Sequence, residues 1–244
     1  MIYITGDIHT DPLRFHPKKW AEKGLPPLTS ADYVIICGDF GIPWGRFPRE
    51  DGPVLQGRPI SWYDKKALQK LERLPATFLF VDGNHENFDL LSHMEVRSWH
   101  GGNVHVLQEN VLHLMRGEIF TIEGKVFFVM GGAMSIDKVC RKEGVSWWPQ
   151  EVPNETEQWH ALENLQAFQA EGGHIDYVLT HTCPRVLIRL MFHVEPIEDD
   201  TTKFLDVINN RLGDEITGWY FGHWHENKDA WQYHALYDRV VVLK

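Results

Sequence analysis

The apolar run Thr77-Phe78-Leu79-Phe80-Val81 stops in Asp82-Gly83-Asn84-His85-Glu86, a cluster of carboxylate, amide and imidazole groups. Water-facing turns are usually built from Gly, Asn, Asp, Pro and Ser, so such a cluster reads as a strand delivering side chains to a site. The pattern recurs. Ile2–Thr5 leads into Gly6-Asp7-Ile8-His9, residues 33–37 into Gly38-Asp39, Tyr177–Thr180 into His181, and residues 216–221 into Gly222-His223-Trp224-His225. Each ending alone is weak, because Asp after Gly commonly caps or turns the chain by local hydrogen bonding. Local turn chemistry does not, however, demand oxygen and nitrogen donors at all of these ends.

Ligands gather at the carboxyl ends of strands in open α/β sheets, so convergence would surround one point with Asp7, His9, Asp39, Asn84, His181, His223 and His225. The i, i+2 spacing of Asp7/His9 and of His223/His225 predicts two pincers, since alternate residues of an extended backbone share a face. Ile8 and Trp224 would then face away. The donor set is that of a metal cage, and it exceeds what one tetrahedral ion takes, which implies two ions about 3.5–4 Å apart. A carboxylate must bridge them. Asp39 is the candidate, because it follows a fully apolar run, while the Asn84 amide adds an oxygen without charge. Imidazole and carboxylate ligands without thiolate suit manganese, iron or zinc.

The elements that must position these groups are legible as short runs rich in Val, Ile, Phe and Tyr at residues 2–5, 33–37, 77–81, 104–107, 126–130, 177–180, 216–221 and 240–243. Between them, helical spacing of apolar residues predicts helices over 62–74, 156–170 and 204–212. Alternating strands and helices indicate an α/β core. Residues 118–130 read as a hairpin turning at Glu123-Gly124-Lys125, so part of the sheet is antiparallel. Residues 46–59 read as a Gly/Pro/Arg-rich loop. No repeat or linker divides the chain, so one domain over residues 1–244 is expected.

Composition narrows the chemistry. With 244 residues the chain can bury a substantial core without disulfides. A formal net charge of −10 argues against long duplex nucleic acid, whose nonspecific affinity comes from Lys and Arg. Cys37, Cys140 and Cys183 lack paired spacing, which favours neither a disulfide framework nor a thiolate zinc site. The absence of a signal-like start and of a membrane-length apolar stretch points to a soluble, cytoplasmic protein with no membrane partner. Fourteen histidines fit a metal protein, because imidazole is the commonest metal ligand.

In order, Gly6-Asp7-Ile8-His9, Gly38-Asp39, Gly83-Asn84-His85-Glu86, His181 and Gly222-His223-Trp224-His225 resemble the five blocks of the calcineurin-like metallophosphoesterases, over almost the whole chain. The resemblance implies two mixed β-sheets packed as a sandwich and flanked by helices. It also implies that Asp7, His9, Asp39 and His225 hold one ion, that Asp39, Asn84, His181 and His223 hold the other, and that His85 is a non-ligand beside the leaving group. The expected function is hydrolysis of phosphomonoester or phosphodiester bonds by attack of a metal-bound hydroxide on phosphorus. His85 would serve as general acid or hydrogen-bond donor. The substrate would be a small phosphate ester or a nucleotide-like molecule. A nuclease or cyclic-nucleotide phosphodiesterase of the same fold is the alternative, and a noncatalytic protein-binding scaffold a more distant one.

The departures from the family pattern are informative. The protein Ser/Thr phosphatase branch continues its second block with an acidic residue and an arginine, where this chain has Phe40-Gly41-Ile42-Pro43-Trp44-Gly45. The purple acid phosphatase branch places a tyrosine where Ile42 stands, so no tyrosinate colour is expected. Thr10 occupies a position where glycine is common. A phosphate clamp must come from elsewhere. Residues 131–148, which follow an apolar strand, are expected over the site, with Arg141 the first choice, then Lys138, and Arg46 as a further candidate. Trp147 or Trp148 would wall an organic substituent, or anchor the loop by packing.

Overall fold

A computed structural model describes residues 1–45, 51–212 and 215–243. Its first half runs β1 (Ile2–Thr5), α1 (Pro17–Glu22), β2 (Tyr33–Ile36), a short hairpin β3 (Val54–Leu55) and β4 (Arg58–Pro59), α2 (Trp62–Glu72), β5 (Thr77–Phe80), α3 (Phe88–Leu91), β6 (Glu95–Trp99), β7 (Gly102–Gln108) and β8 (Val111–Leu114). The second half runs β9 (Ile119–Ile122), β10 (Lys125–Met130), α4 (Glu155–Ala170), β11 (Tyr177–Thr180), α5 (Arg185–Leu187), α6 (Asp200–Leu212), β12 (Gly218–Phe221), β13 (Lys228–Ala230), β14 (Tyr233–Ala235) and β15 (Val240–Leu243).

Seven strands form one mixed sheet in the order β15-β1-β2-β5-β8-β7-β6, and six form the other in the order β13-β14-β12-β11-β10-β9. In the first, β1, β2, β5 and β8 are parallel. In the second, β10, β11, β12 and β14 are parallel. The hairpin at residues 118–130 is antiparallel, with Lys125 opposite Ile122.

Strand alternation builds the layers. Ile2, Ile4, Ile35, Leu79 and Val81 face Phe127, Val129, Leu179 and Tyr220 across the gap between the sheets. The intervening Tyr3, Val34, Ile36, Phe78 and Phe80 pack outward on Trp20, Leu68 and Leu71. Phe128, Met130, Val178, Trp219 and Phe221 pack on Leu165, Leu205 and Ile208 of α4 and α6. Strands apolar on both faces are what such a helix-sheet-sheet-helix stack requires, and each fully buried aliphatic or aromatic side chain contributes about 1.5–3 kcal/mol.

Two capping boxes tie helices to functional segments. Ser61 caps α2 with Asp64, whose carboxylate also accepts the backbone N–H groups of Trp44 and Gly45 at 2.9 Å each. Asn154 caps α4 with Glu157, which also accepts from Arg116. Several strands lack a sequence signal. β6 is an edge strand with mostly polar side chains, β8 is a four-residue run interrupted by His113, and β13 and β14 mix charge with single apolar residues. Residues 54–59, within the stretch read as loop, form the β3/β4 hairpin.

Candidate active site

Parallel pairing sets the carboxyl ends of β1, β2 and β5 side by side in one sheet and those of β11 and β12 in the other. The two sets meet across the sandwich: His181 Nδ1 lies 2.9 Å from the Cys37 carbonyl oxygen, and the His223 N–H donates to Asp7 Oδ1 at 3.0 Å. All of the donors picked out by type and spacing are drawn into two clusters.

In the first cluster, His225 Nε2 is 3.1 Å from Asp7 Oδ2 and 2.8 Å from His9 Nε2. His9 Nδ1 faces Asp39 Oδ2 at 3.7 Å, and one donor atom from each of Asp7, His9, Asp39 and His225 lies within 4.8 Å of the others. In the second, Asn84 Oδ1 is 3.1 Å from both His181 Nε2 and His223 Nδ1, while Asp39 Oδ1 is 3.2 Å from His181 Nε2. Asp39 therefore turns one oxygen to each cluster.

This donor set fits cations. Asp7 and Asp39 are each 1% exposed, and among the described residues neither carboxylate has a Lys or Arg ion pair. Buried charge is costly unless paired or coordinated. The side chains by themselves compensate through imidazole. Burial disfavours a charged His181, but the Asp39 charge and hydrogen bond outweigh it and raise His181 to about 10. Burial, reinforced by His181, pushes His223 down to about 4.

The pincers do not form as an extended backbone would make them. His9 (φ +44°), Asp39 (+47°), His223 (+68°) and His225 (+50°) all lie in the left-handed region. Each strand has ended before its donors, and left-handed turns aim these four, a costly geometry for residues other than glycine that concentrates at functional sites. Thr10 shares it at φ +66°, which accounts for the glycine common at that position. The glycines before ligands serve close approach: a Cβ on Gly83 would collide with Asp39 Oδ1, and one on Gly222 with Asp7 Oδ1.

His85 stands beside the clusters. Its backbone N–H donates to Asp39 Oδ1 at 2.8 Å, and its ring meets that of His9 edge-on at 5.2 Å. Its ring nitrogens lie 3.3 and 3.2 Å from Arg141 Nη1 and Nη2. Burial lowers the His85 pKa, Asp39 opposes that shift, and Arg141 adds to it. Residues 131–148 thus bring Arg141 to the imidazole, where Asp137 holds its Nε at 2.8 Å and Nη1 donates to the Ser146 carbonyl at 3.1 Å.

Lys138 instead sits over the Trp147 ring at 5.8 Å, away from His85. Trp148 is an anchor, packing edge-on against Trp44 and donating Nε1–H to Asp89 at 2.8 Å. Arg46 lies outside the described residues.

Four supporting groups, Glu86, Arg116, Ser135 and Glu151, have roles that the sequence does not reveal. Glu86 is buried and accepts the N–H groups of Phe40 and Gly41 at 2.8 and 2.9 Å, fixing the loop that carries Asp39; its adjacency to His85 was the only hint. Arg116 reaches from Asp82, through Nε at 2.9 Å, to Glu157 at the start of α4. Asn84 Nδ2 donates to Ser135 Oγ at 3.1 Å, and Ser135 donates to Glu151 at 2.8 Å, so the amide is held with Oδ1 toward the imidazoles.

A sequence profile of the calcineurin-like phosphoesterases matches residues 1–227, and the chain belongs to that family. It is therefore a hydrolase of the phosphoesterase class. Among solved structures it is similar to phosphopantetheinyl hydrolase from Mycobacterium tuberculosis, at 14% identity over 97% of this chain and 89% of that one, with a TM-score of 0.45. It is also similar to NAD nucleotidase from Haemophilus influenzae, at 13% identity over 93% of this chain and 38% of that one, with a TM-score of 0.36. A comparison with curated proteins finds no match. Among the described residues, no helix is long and apolar enough to cross a membrane.

Proposed function

We propose that the chain is a binuclear metal-dependent phosphoesterase acting on small phosphate esters. The observation that carries this reading is Asp39, a buried carboxylate with one oxygen turned to each donor cluster. Asp7, His9, Asp39 and His225 would hold one ion, and Asp39, Asn84, His181 and His223 the other, with manganese, iron or zinc suited to these donors. When bound, the cations supply a water of lowered pKa and charge neutralisation at the phosphate oxygens.

The chain's own groups do the rest. Asp39, Asp7 and the Asn84 amide orient the imidazoles. His85 is positioned outside both clusters to donate an N–H to the departing oxygen. Arg141, whose Nη1 and Nη2 face the His85 ring, would turn its planar pair of N–H groups to the phosphate oxygens of a bound ester, replacing the arginine absent after Asp39. Three free cysteines support a reducing, cytoplasmic setting.

The test is metal analysis of the purified chain together with a metal-reconstituted screen of phosphomonoesters, phosphodiesters, cyclic nucleotides and dinucleotides. Two ions per chain and turnover of at least one class are expected. A chain that binds both ions and hydrolyses none would instead be a scaffold of this fold.

A further inference from the structure

Trp224 lies between two histidines of the centre, and its ring meets that of His223 edge-on at 5.8 Å. Its ring stacks on Phe192 at 4.2 Å and 9°, which fixes it as a wall. That wall bounds a pocket of about 160 Å³ beside His223, whose apolar sides are Met134, Ile136, Ile188, Val194 and Ile197. These come from two separate segments, the loop after β10 and the stretch after β11.

Ile136 is 76% exposed, and Val194 and Ile197 are 49% exposed each. A single exposed aliphatic residue means little, but these line one cavity whose remaining side includes a residue of the metal centre. The pocket's charged groups are acidic, the buried Asp199 and the exposed Glu195, and no Lys or Arg is among its lining residues. Glu195 is paired with Arg189 and Asp199 accepts the Thr201 N–H at 2.9 Å, so the lining offers a phosphoryl group no cation, whereas Arg141 lies beside His85. An apolar cavity of about 150 Å³ accepts a benzene-sized guest, so the volume matches one aromatic ring or a short branched chain.

We propose that this pocket seats the organic group of the substrate, which is a phosphate ester carrying an uncharged, apolar substituent of about one ring in size. The proposal rests on the phosphoesterase reading and adds the substrate class to it. Trp224 and Ile197 hold the substituent while the phosphoryl group lies on the centre.

Binding of methyl-, isobutyl- and benzylphosphonate to the metal-loaded protein, measured by calorimetry, tests this without turnover. Benzylphosphonate should bind at least tenfold more tightly than methylphosphonate, with isobutylphosphonate between them. A para-carboxylate on the ring should abolish the gain. Ile197→Asp, at a half-exposed position that the fold tolerates, should bring benzylphosphonate down to the affinity of methylphosphonate. Equal binding of all three by the wild type, or an undiminished benzyl preference in Ile197→Asp, overturns the pocket and leaves the phosphoesterase reading standing. Failure of every phosphonate, methylphosphonate included, overturns that reading and the pocket with it.

Discussion

The donor clusters and the loop at residues 131–148 reach the same place by opposite means. Asp7, Asp39 and His181 are 1%, 1% and 0% exposed, and their strands are hydrogen-bonded on both sides within the sheets. The loop has a short 3-10 turn at Lys138–Cys140 and a single bridge between Glu143 and Trp147, and Val139 on it is 87% exposed. Its side-chain ties include Ser135 to Glu151 and Asn84, Arg141 to His85, and Trp148 to Asp89 and Trp44. On the proposed reading, groups that would hold ions stand directly after strands paired on both sides, while groups that would meet the substrate ride on a segment whose sequence can vary without disturbing the core. Metal binding and substrate recognition should therefore separate under mutation.

The most severe break is Asp39→Asn, which removes charge shared by both clusters. Loss of both ions in elemental analysis and a fall in rate of about 10³-fold or more are expected. Chelation should lower the melting temperature of the wild type, because ions that bind only the folded chain stabilise it, and should hardly move that of the variant. Full metal content and rate in Asp39→Asn would remove Asp39 from its bridging place.

His85→Ala tests the boundary between the regions. Both ions should remain, while the rate on esters with poor leaving groups falls about 100-fold and that on activated aryl esters falls less. A uniform loss across leaving groups would eliminate proton donation as its role.

Ser135→Ala probes the one hydrogen bond that joins the loop to the donors. Freed from Ser135, the Asn84 amide can turn its oxygen away, and metal titration should show one of the two ions bound about tenfold more weakly, within the range typical of outer-shell partners. Unchanged affinity for both ions would make Ser135 a loop anchor alone. The mildest and most selective change is Arg141→Ala, for which metal content should be intact and kcat/KM about tenfold lower, or ~1.4 kcal/mol of transition-state stabilisation. Wild-type efficiency over the whole substrate screen would leave the phosphate clamp to a residue outside this loop.

The apolar runs at β1, β2, β5, β7, β10, β11, β12 and β15, the hairpin at residues 118–130 and the helices α2 and α4 were legible, because apolar runs and helical spacing are local patterns. The donor residues were legible as types, since imidazole, carboxylate and amide stand directly after those runs. Their aim was not. A spacing of i, i+2 predicts a shared face only in extended backbone, and His9, His223 and His225 are aimed by left-handed turns imposed by the packing of one sheet's loops on the other's. The roles of Glu86, Arg116 and Glu151 were unreadable for a related reason. A carboxylate or guanidinium that turns inward to satisfy buried amides has the same sequence signature as one in water.

By itself the sequence determined the donor inventory, its order along the chain and the α/β alternation that carries it, all consequences of covalent order and short-range propensity. Tertiary structure alone decided that the two sheets present their carboxyl ends to one rim and that Asp39 turns an oxygen to each cluster. It also decided that Arg141 rather than Lys138 reaches His85, and that Trp224 walls a pocket with Ile197. Each of these depends on contacts between segments tens to hundreds of residues apart, set by how apolar faces are jointly removed from water, and no local pattern encodes that joint packing.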